Sequence, residues 1–252
     1  MKRVLVLLLA SIAALSAHAR DVYVAAAADL TFCLKDLNAA FQKANPDVKV
    51  IVATGSSGKF FSQIQNSAPF DVFMSADIDY PRKLADAGLA VRESLFQYAV
   101  GQIAVWVINP QFDVAKGLAV LSDPRISKIA IANPSHAPYG RAAQAAMEKA
   151  KVWESVRPKL VMGENISQAA QFVQTGNASA GIIALSILKA PSVEGIGRYW
   201  LIPRDQYPAI EQGAVLTIKG KDNADARNYM AFLKTPDARR IFDRYGFLLP
   251  SK

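Results

Sequence analysis

The chain has 252 residues, 52% of them hydrophobic, and 29 lysines and arginines against 21 aspartates and glutamates give a formal net charge of +8. The basic residues are scattered rather than gathered with aromatics into a stripe, which argues against nucleic acid and leaves a general field favouring anionic ligands. Cys33 is the only cysteine, so an internal disulfide and a cysteine-based metal site are both excluded.

The opening MKRVLVLLLASIAALSAHA has two basic residues, an apolar run over residues 4–15, and small residues at Ala17 and Ala19. That is the layout of a secretory signal peptide, with cleavage expected after Ala19, and the run is short for a membrane span. No cysteine stands at the cleavage point to take a lipid, so an exported, soluble, periplasmic protein is expected. Removing Lys2 and Arg3 with the leader lowers the net charge from +8 to +6.

From there, short β-branched runs alternate with amphipathic stretches. DVYVAAA precedes LTFCLKDLNAAFQKAN, in which Leu30, Leu34, Leu37 and Phe41 recur at helical spacing and Pro46 marks the end. VKVIVAT precedes FFSQIQNS, DVFMSA precedes YPRKLADAGL, and KIAIANP precedes YGRAAQAAMEKAKVW. KLVMG then leads to SQAAQFVQTG and AGIIAL to SILKA. Such alternation predicts an α/β architecture with largely parallel sheets, whose ligands sit beyond the carboxyl ends of strands.

Four strand-to-helix junctions stand out. They carry Ala28, Asp29 and Thr31; Ser56 and Ser57; Pro138, Tyr139 and Gly140; and Ile166 with Ser167. A helix start presents free N–H groups and a positive dipole end, so four of them form a ring of donors suited to an anion. Each alone is also explained by ordinary capping, for instance by Ser56 or Ser57. TGSSGK raises a nucleotide alternative. However, only Ser56 and Ser57 separate Gly55 from Gly58, and Phe60 rather than Ser or Thr follows Lys59, so the phosphate-loop pattern is incomplete. No catalytic residue is assigned. His136 is the only histidine after the leader and reads as a turn residue, and no nucleophile elbow, zinc-protease motif or carboxylate pair appears. Asp77 and Asp79 lack the glycine and closing glutamate of a calcium loop and read as helix-start residues.

With the junctions in this order, the chain resembles the periplasmic molybdate-binding proteins of ABC importers, the ModA family. The resemblance rests on AAAADL, TGSSGKF followed by QI, APFDVFMSAD, YAVGQIAVWV, NPSHAPYG and the ending IFDRYGFLLP. It implies a two-lobed type II periplasmic binding fold, each lobe a mainly parallel sheet flanked by helices. One lobe would comprise residues 20–100 and 215–252 and the other residues 101–214, after a leader of residues 1–19. It further implies a tetrahedral oxyanion, molybdate or tungstate, held through its oxygens with no cofactor or directly bound metal. The contacts carried over are Ala28, Asp29, Ser57, Tyr139 and Ile166, with Ser56, Gly58, Lys59 and Arg141 around them. The implied partners are the anion and an inner-membrane ABC permease, with no nucleic acid, and the protein is expected to be a monomer. Another anion or a metal chelate in the same fold is the alternative.

Two departures bear on the ligand. Where some relatives place a tyrosine hydroxyl on the anion, this chain has Ala184 and Leu185, and Ala28 with Asp29 replaces side-chain donors at the first junction. An ionised carboxylate about 5 Å from a dianion, at an effective dielectric near 20, would repel it by roughly 6–7 kcal/mol. The expectation is therefore that Asp29 acts as an N-cap turned from the anion, neutralised by Lys59 or Arg141.

Overall fold

The computed structural model describes residues 21–250; the expected leader and its cleavage point lie outside the described residues. Two five-stranded sheets form the frame. The first contains β1 (Val22–Ala27), β2 (Val50–Gly55), β3 (Val72–Ser75), β4 (Phe96–Gly101) and β10 (Ile210–Leu216) in the order β2-β1-β3-β10-β4. The second contains β5 (Ile103–Val107), β6 (Ile129–Ala132), β7 (Leu160–Gly163), β8 (Ala180–Ala184) and β9 (Arg198–Leu201) in the order β7-β6-β8-β5-β9.

Neither sheet is mainly parallel. The pairings β1–β2, β1–β3, β6–β7 and β6–β8 are parallel, whereas β3–β10, β4–β10, β5–β8 and β5–β9 are antiparallel. The four strands missed in the alternation are those that carry the chain between sheets, β4 into β5 and β9 into β10. Gln102 alone separates β4 from β5. Its carbonyl accepts from Leu185 N at 2.9 Å and its side chain donates to Gly246 O at 2.8 Å, which ties this crossing to the start of α7 (Leu185–Leu188) and to the turn after α9 (Pro236–Arg244). The return runs through residues 203–209. Residues 210–214, expected with the second lobe, therefore belong to the first sheet, because β10 is a single strand paired with both β3 and β4.

Burial explains the strand composition. Val24 and Ala26 face a cluster containing Leu34, Leu37 and Phe41, while Ala25 faces the opposite cluster with Phe60, Ile64 and Phe73. A strand covered on both faces has no polar alternation to show. Helices α1 (Cys33–Ala44), α2 (Ser57–Gln65), α3 (Asp79–Asp86), α8 (Ala224–Phe232) and α9 (Pro236–Arg244) flank the first sheet. Helices α4 (Pro138–Lys149), α5 (Trp153–Val156), α6 (Ile166–Gln174) and α7 (Leu185–Leu188) accompany the second. Phe41 of α1 meets Tyr229 of α8 edge to face at 5.1 Å, a geometry worth about 0.5–1.5 kcal/mol beyond burial. The first helix begins later than expected: a 3-10 turn over Ala28–Leu30 comes before α1. Its carbonyls are already engaged, Ala28 O by Thr31 Oγ1 and Asp29 O by Ser186 Oγ. Among the described residues no helix is long and apolar enough to cross a membrane.

Candidate functional site

The four junctions converge between the two sheets on one narrow cavity with at most about 200 Å³ of free space. Ala28, Asp29, Ser57, Tyr139 and Ile166 all line it, as does Ser56; Gly58, Lys59 and Arg141 do not. Pockets that enclose drug-sized ligands run to about 300–1,000 Å³, larger than this cavity. Ser57, Tyr139 and Ile166 each stand in the first turn of a helix, where N–H groups have no acceptor within the helix. Among the described residues no lysine or arginine lines the cavity, so attraction for an anion comes from peptide dipoles and hydroxyls.

The serines of α2 do not cap it. Ser57 Oγ accepts from Ala76 N at 2.9 Å, which fixes the hydroxyl and leaves its proton for another acceptor. Ser56 Oγ lies 3.0 Å from His136 Nδ1, across the gap between the sheets. At α6 the cap is Asn165, whose side chain accepts from Gln168 N at 3.0 Å. Gly140 lets the start of α4 lie against β6, because a Cβ there would collide with the Ala132 carbonyl. Among the described residues no group of three or more His, Cys, Asp or Glu is placed to hold a metal ion.

Residues 22–248 match the family model for bacterial extracellular solute-binding proteins. The chain is 42% identical to the molybdate-binding protein ModA of Azotobacter vinelandii over 248 residues, covering 98% of this chain and 97% of the relative. It is 43% identical to the ModA of Rhodobacter capsulatus over 235 residues, covering 93% and 91%. The solved structure of an Azotobacter vinelandii periplasmic molybdate-binding protein superposes with a TM-score of 0.85 at 31% identity, covering 91% of this chain and all of that one. The chain belongs to the ModA family of bacterial extracellular solute-binding proteins.

In this ModA-family chain the charged residues near the site are arranged differently from expectation. Lys59 Nζ lies 2.8 Å from Glu164 Oε1, off the axis of a hydrogen bond, and Glu164 also stands 3.5 Å from His136 Nε2. Arg141 pairs with Asp77 at 2.5 Å. Both cations thus clasp carboxylates across the sheets at the cavity's rim, and neither neutralises Asp29. Lys59 and Arg141 follow binding-loop glycines in sequence, but a helix turns successive side chains about 100° apart, away from the cavity.

Asp29 is not an N-cap either. The 3-10 turn has no side-chain cap, and the carboxyl is buried, with 1% exposure. Its Oδ2 accepts from Gln212 Nε2 at 2.7 Å and from Tyr139 Oη at 2.9 Å. Gln212 is oriented by Tyr98, whose hydroxyl donates to Oε1 at 2.8 Å. Burial pushes the Asp29 carboxyl up to about 6, opposed by the bonds from Gln212, Tyr139 and its own backbone. Burial likewise holds the Tyr98 and Tyr139 hydroxyls well above their ordinary range, so both remain neutral donors.

Sequence reasoning missed Gln212, Tyr98, Ser186 and the role of His136. Gln212 carried one signal, a polar side chain inside the apolar run of β10 beside Gly213. Ser186, next to the position where the family tyrosine is lacking, donates to Asp29 O at 2.8 Å. His136, expected in a turn, is largely covered at the junction of the sheets, and its carbonyl accepts from Gly58 N at 3.0 Å.

Proposed function

We propose that the protein captures a tetrahedral oxyanion, molybdate or tungstate, in the periplasm and delivers it to an inner-membrane ABC permease. The observation that carries this reading is the convergence of the helix starts at Ser57, Tyr139 and Ile166, with Ala28 and Asp29, on one small cavity without a lining cation. Relatives named as molybdate-binding proteins at 42–43% identity support molybdate as the ligand. Binding proteins of transporters perform no chemistry on their cargo, and in this reading the protein is not an enzyme.

Affinity would come from N–H groups of the helix starts and the Ser57 hydroxyl, each reaching one of the four oxygens. Ser56, Gly58, Lys59 and Arg141 act around the site by holding the sheets together. The lobes, residues 21–101 with 210–250 and residues 102–209, would part at Gln102 and at residues 203–209 to admit the ion and then close through these clasps. The protein would work as a monomer, with residues 1–19 removed on export. Calorimetric titration of the mature protein with molybdate, tungstate, sulfate, phosphate and magnesium-ATP tests the reading. One molybdate per chain with no response to ATP is expected; magnesium-dependent ATP binding without molybdate binding would overturn it.

A further inference from the structure

Among the described residues Asp29 is the one acidic side chain lining the cavity, and only one oxygen of its carboxyl has donors from other residues. Oδ2 accepts from two donors, Gln212 Nε2 and Tyr139 Oη, and the amide is held in this orientation by Tyr98, which donates to its oxygen. Oδ1 is buried and, among the described residues, no other residue donates to it. A buried acceptor without a donor is costly, whereas a carboxylic acid whose free oxygen carries the proton has a donor to offer. With Oδ2 filled, the proton belongs on Oδ1.

We propose that Asp29 determines the specificity of the site by meeting the oxyanion as a neutral acid, its Oδ1–H donating to one oxygen, so that capture of each dianion takes up one proton from solvent. The proposal rests on the oxyanion reading above. In the step, a solvent proton forms an O–H bond with Oδ1; carboxylate, dianion and proton together keep a net charge of −2, and nothing else is formed or broken. An anion that offers only acceptors on every oxygen suits this donor, whereas one carrying its own O–H would face donor against donor.

The surroundings allow the proton to sit there. Tyr139 from α4, Tyr98 from β4 and Cys33 from α1 are the titratable groups coupled to Asp29, and burial keeps all three neutral. Gln212 from β10, Ser186 from α7, Ser56 and Ser57 from α2 and its approach, and Asn165 before α6 carry no charge. The charged groups nearby, Lys59 with Glu164 and His136, and Arg141 with Asp77, are engaged with one another at the rim. Burial already lifts the carboxyl to about 6, and a neighbouring dianion raises it further. Asp29→Asn reproduces the acid: its carbonyl can accept from Gln212 and Tyr139 while its NH₂ donates from the Oδ1 position.

The test is calorimetry of mature protein with sodium molybdate at pH 7.5 in buffers of different ionisation enthalpy. The slope of observed enthalpy against buffer enthalpy should give close to one proton taken up per molybdate in the wild type. Asp29→Asn should take up close to none, and His136→Gln should retain the uptake. From pH 6.5 to 8.5 the wild-type Kd should weaken by up to tenfold per pH unit, and that of Asp29→Asn should stay flat. Molybdate binding with no proton uptake in the wild type would overturn the proposal and leave the oxyanion reading standing; no molybdate binding at any pH would overturn both. Tight phosphate binding at pH 8.5 without uptake would also overturn it, since Oδ1 would then be an ionised acceptor for a P–OH. The wild-type slope decides the matter even if Asp29→Asn fails to fold.

Discussion

Replacing Asp29 with Asn should stabilise the anion-free protein at alkaline pH and do progressively less as the pH falls. The carboxyl has an ordinary value of 3.8 and is pushed up to about 6 by burial. Because the folded state holds the proton more tightly than the unfolded chain, the contribution to stability is complete below pH 3.8. It declines as pH rises towards 6 and stays at its lower level above that. At 1.36 kcal/mol per pH unit the loss by pH 8 is about 3 kcal/mol, and by pH 4.5 about 1 kcal/mol. An asparagine that keeps the bonds from Gln212 and Tyr139 escapes this loss. The variant should therefore exceed the wild type by about 6–12 °C in Tm at pH 8, for a chain of this size, and by roughly a third of that at pH 4.5. Differential scanning calorimetry of both proteins across this range, freed of anions by denaturation and refolding, reads the gap directly. A gap that does not change with pH, or a variant less stable at pH 8, would refute the burial of an ionisable Asp29.

Ser57→Ala should weaken molybdate binding by at least tenfold, because it removes a hydroxyl donor to the anion and orphans the Ala76 amide, a buried loss of about 1–3 kcal/mol; titration calorimetry and Tm would report the two effects. Gly140→Ala forces α4 off β6 and carries Tyr139 with it, so the variant should fold with a lowered Tm, by an overpacking cost of about 1–3 kcal/mol, and bind molybdate poorly. Sulfate should bind far more weakly than molybdate or tungstate, since a smaller tetrahedron leaves some donors unpaired at about 1–3 kcal/mol each; equal affinities in direct titrations would contradict a size-selective cavity.

The fold and the ring of junctions were legible because their signals are local. Short apolar, β-branched runs give way to helical spacing at Ser57, Pro138 and Ile166, and glycine, serine and proline mark each turn. Such patterns require no knowledge of which segments meet. The antiparallel pairings were illegible for the converse reason: the division between lobes was expected within YAVGQIAVWV, but nothing local shows that β4 and β5 run antiparallel to the strands beside them. The partners of Asp29 were hidden by distance along the chain, Tyr139 lying 110 residues away and Gln212 183. Lys59 and Arg141 adjoin glycines of the same loops in sequence, yet the helical turn aims them at Glu164 and Asp77.

A crystal structure of the mature protein with molybdate, recorded at the molybdenum absorption edge, would locate the anion directly. One anomalous peak per chain is expected, in the cavity lined by Ala28, Asp29, Ser57, Tyr139 and Ile166, with oxygens about 2.7–3.2 Å from the N–H groups of Ser57, Tyr139 and Ile166. A peak beside the Arg141–Asp77 pair instead, or none at saturating molybdate, would contradict it.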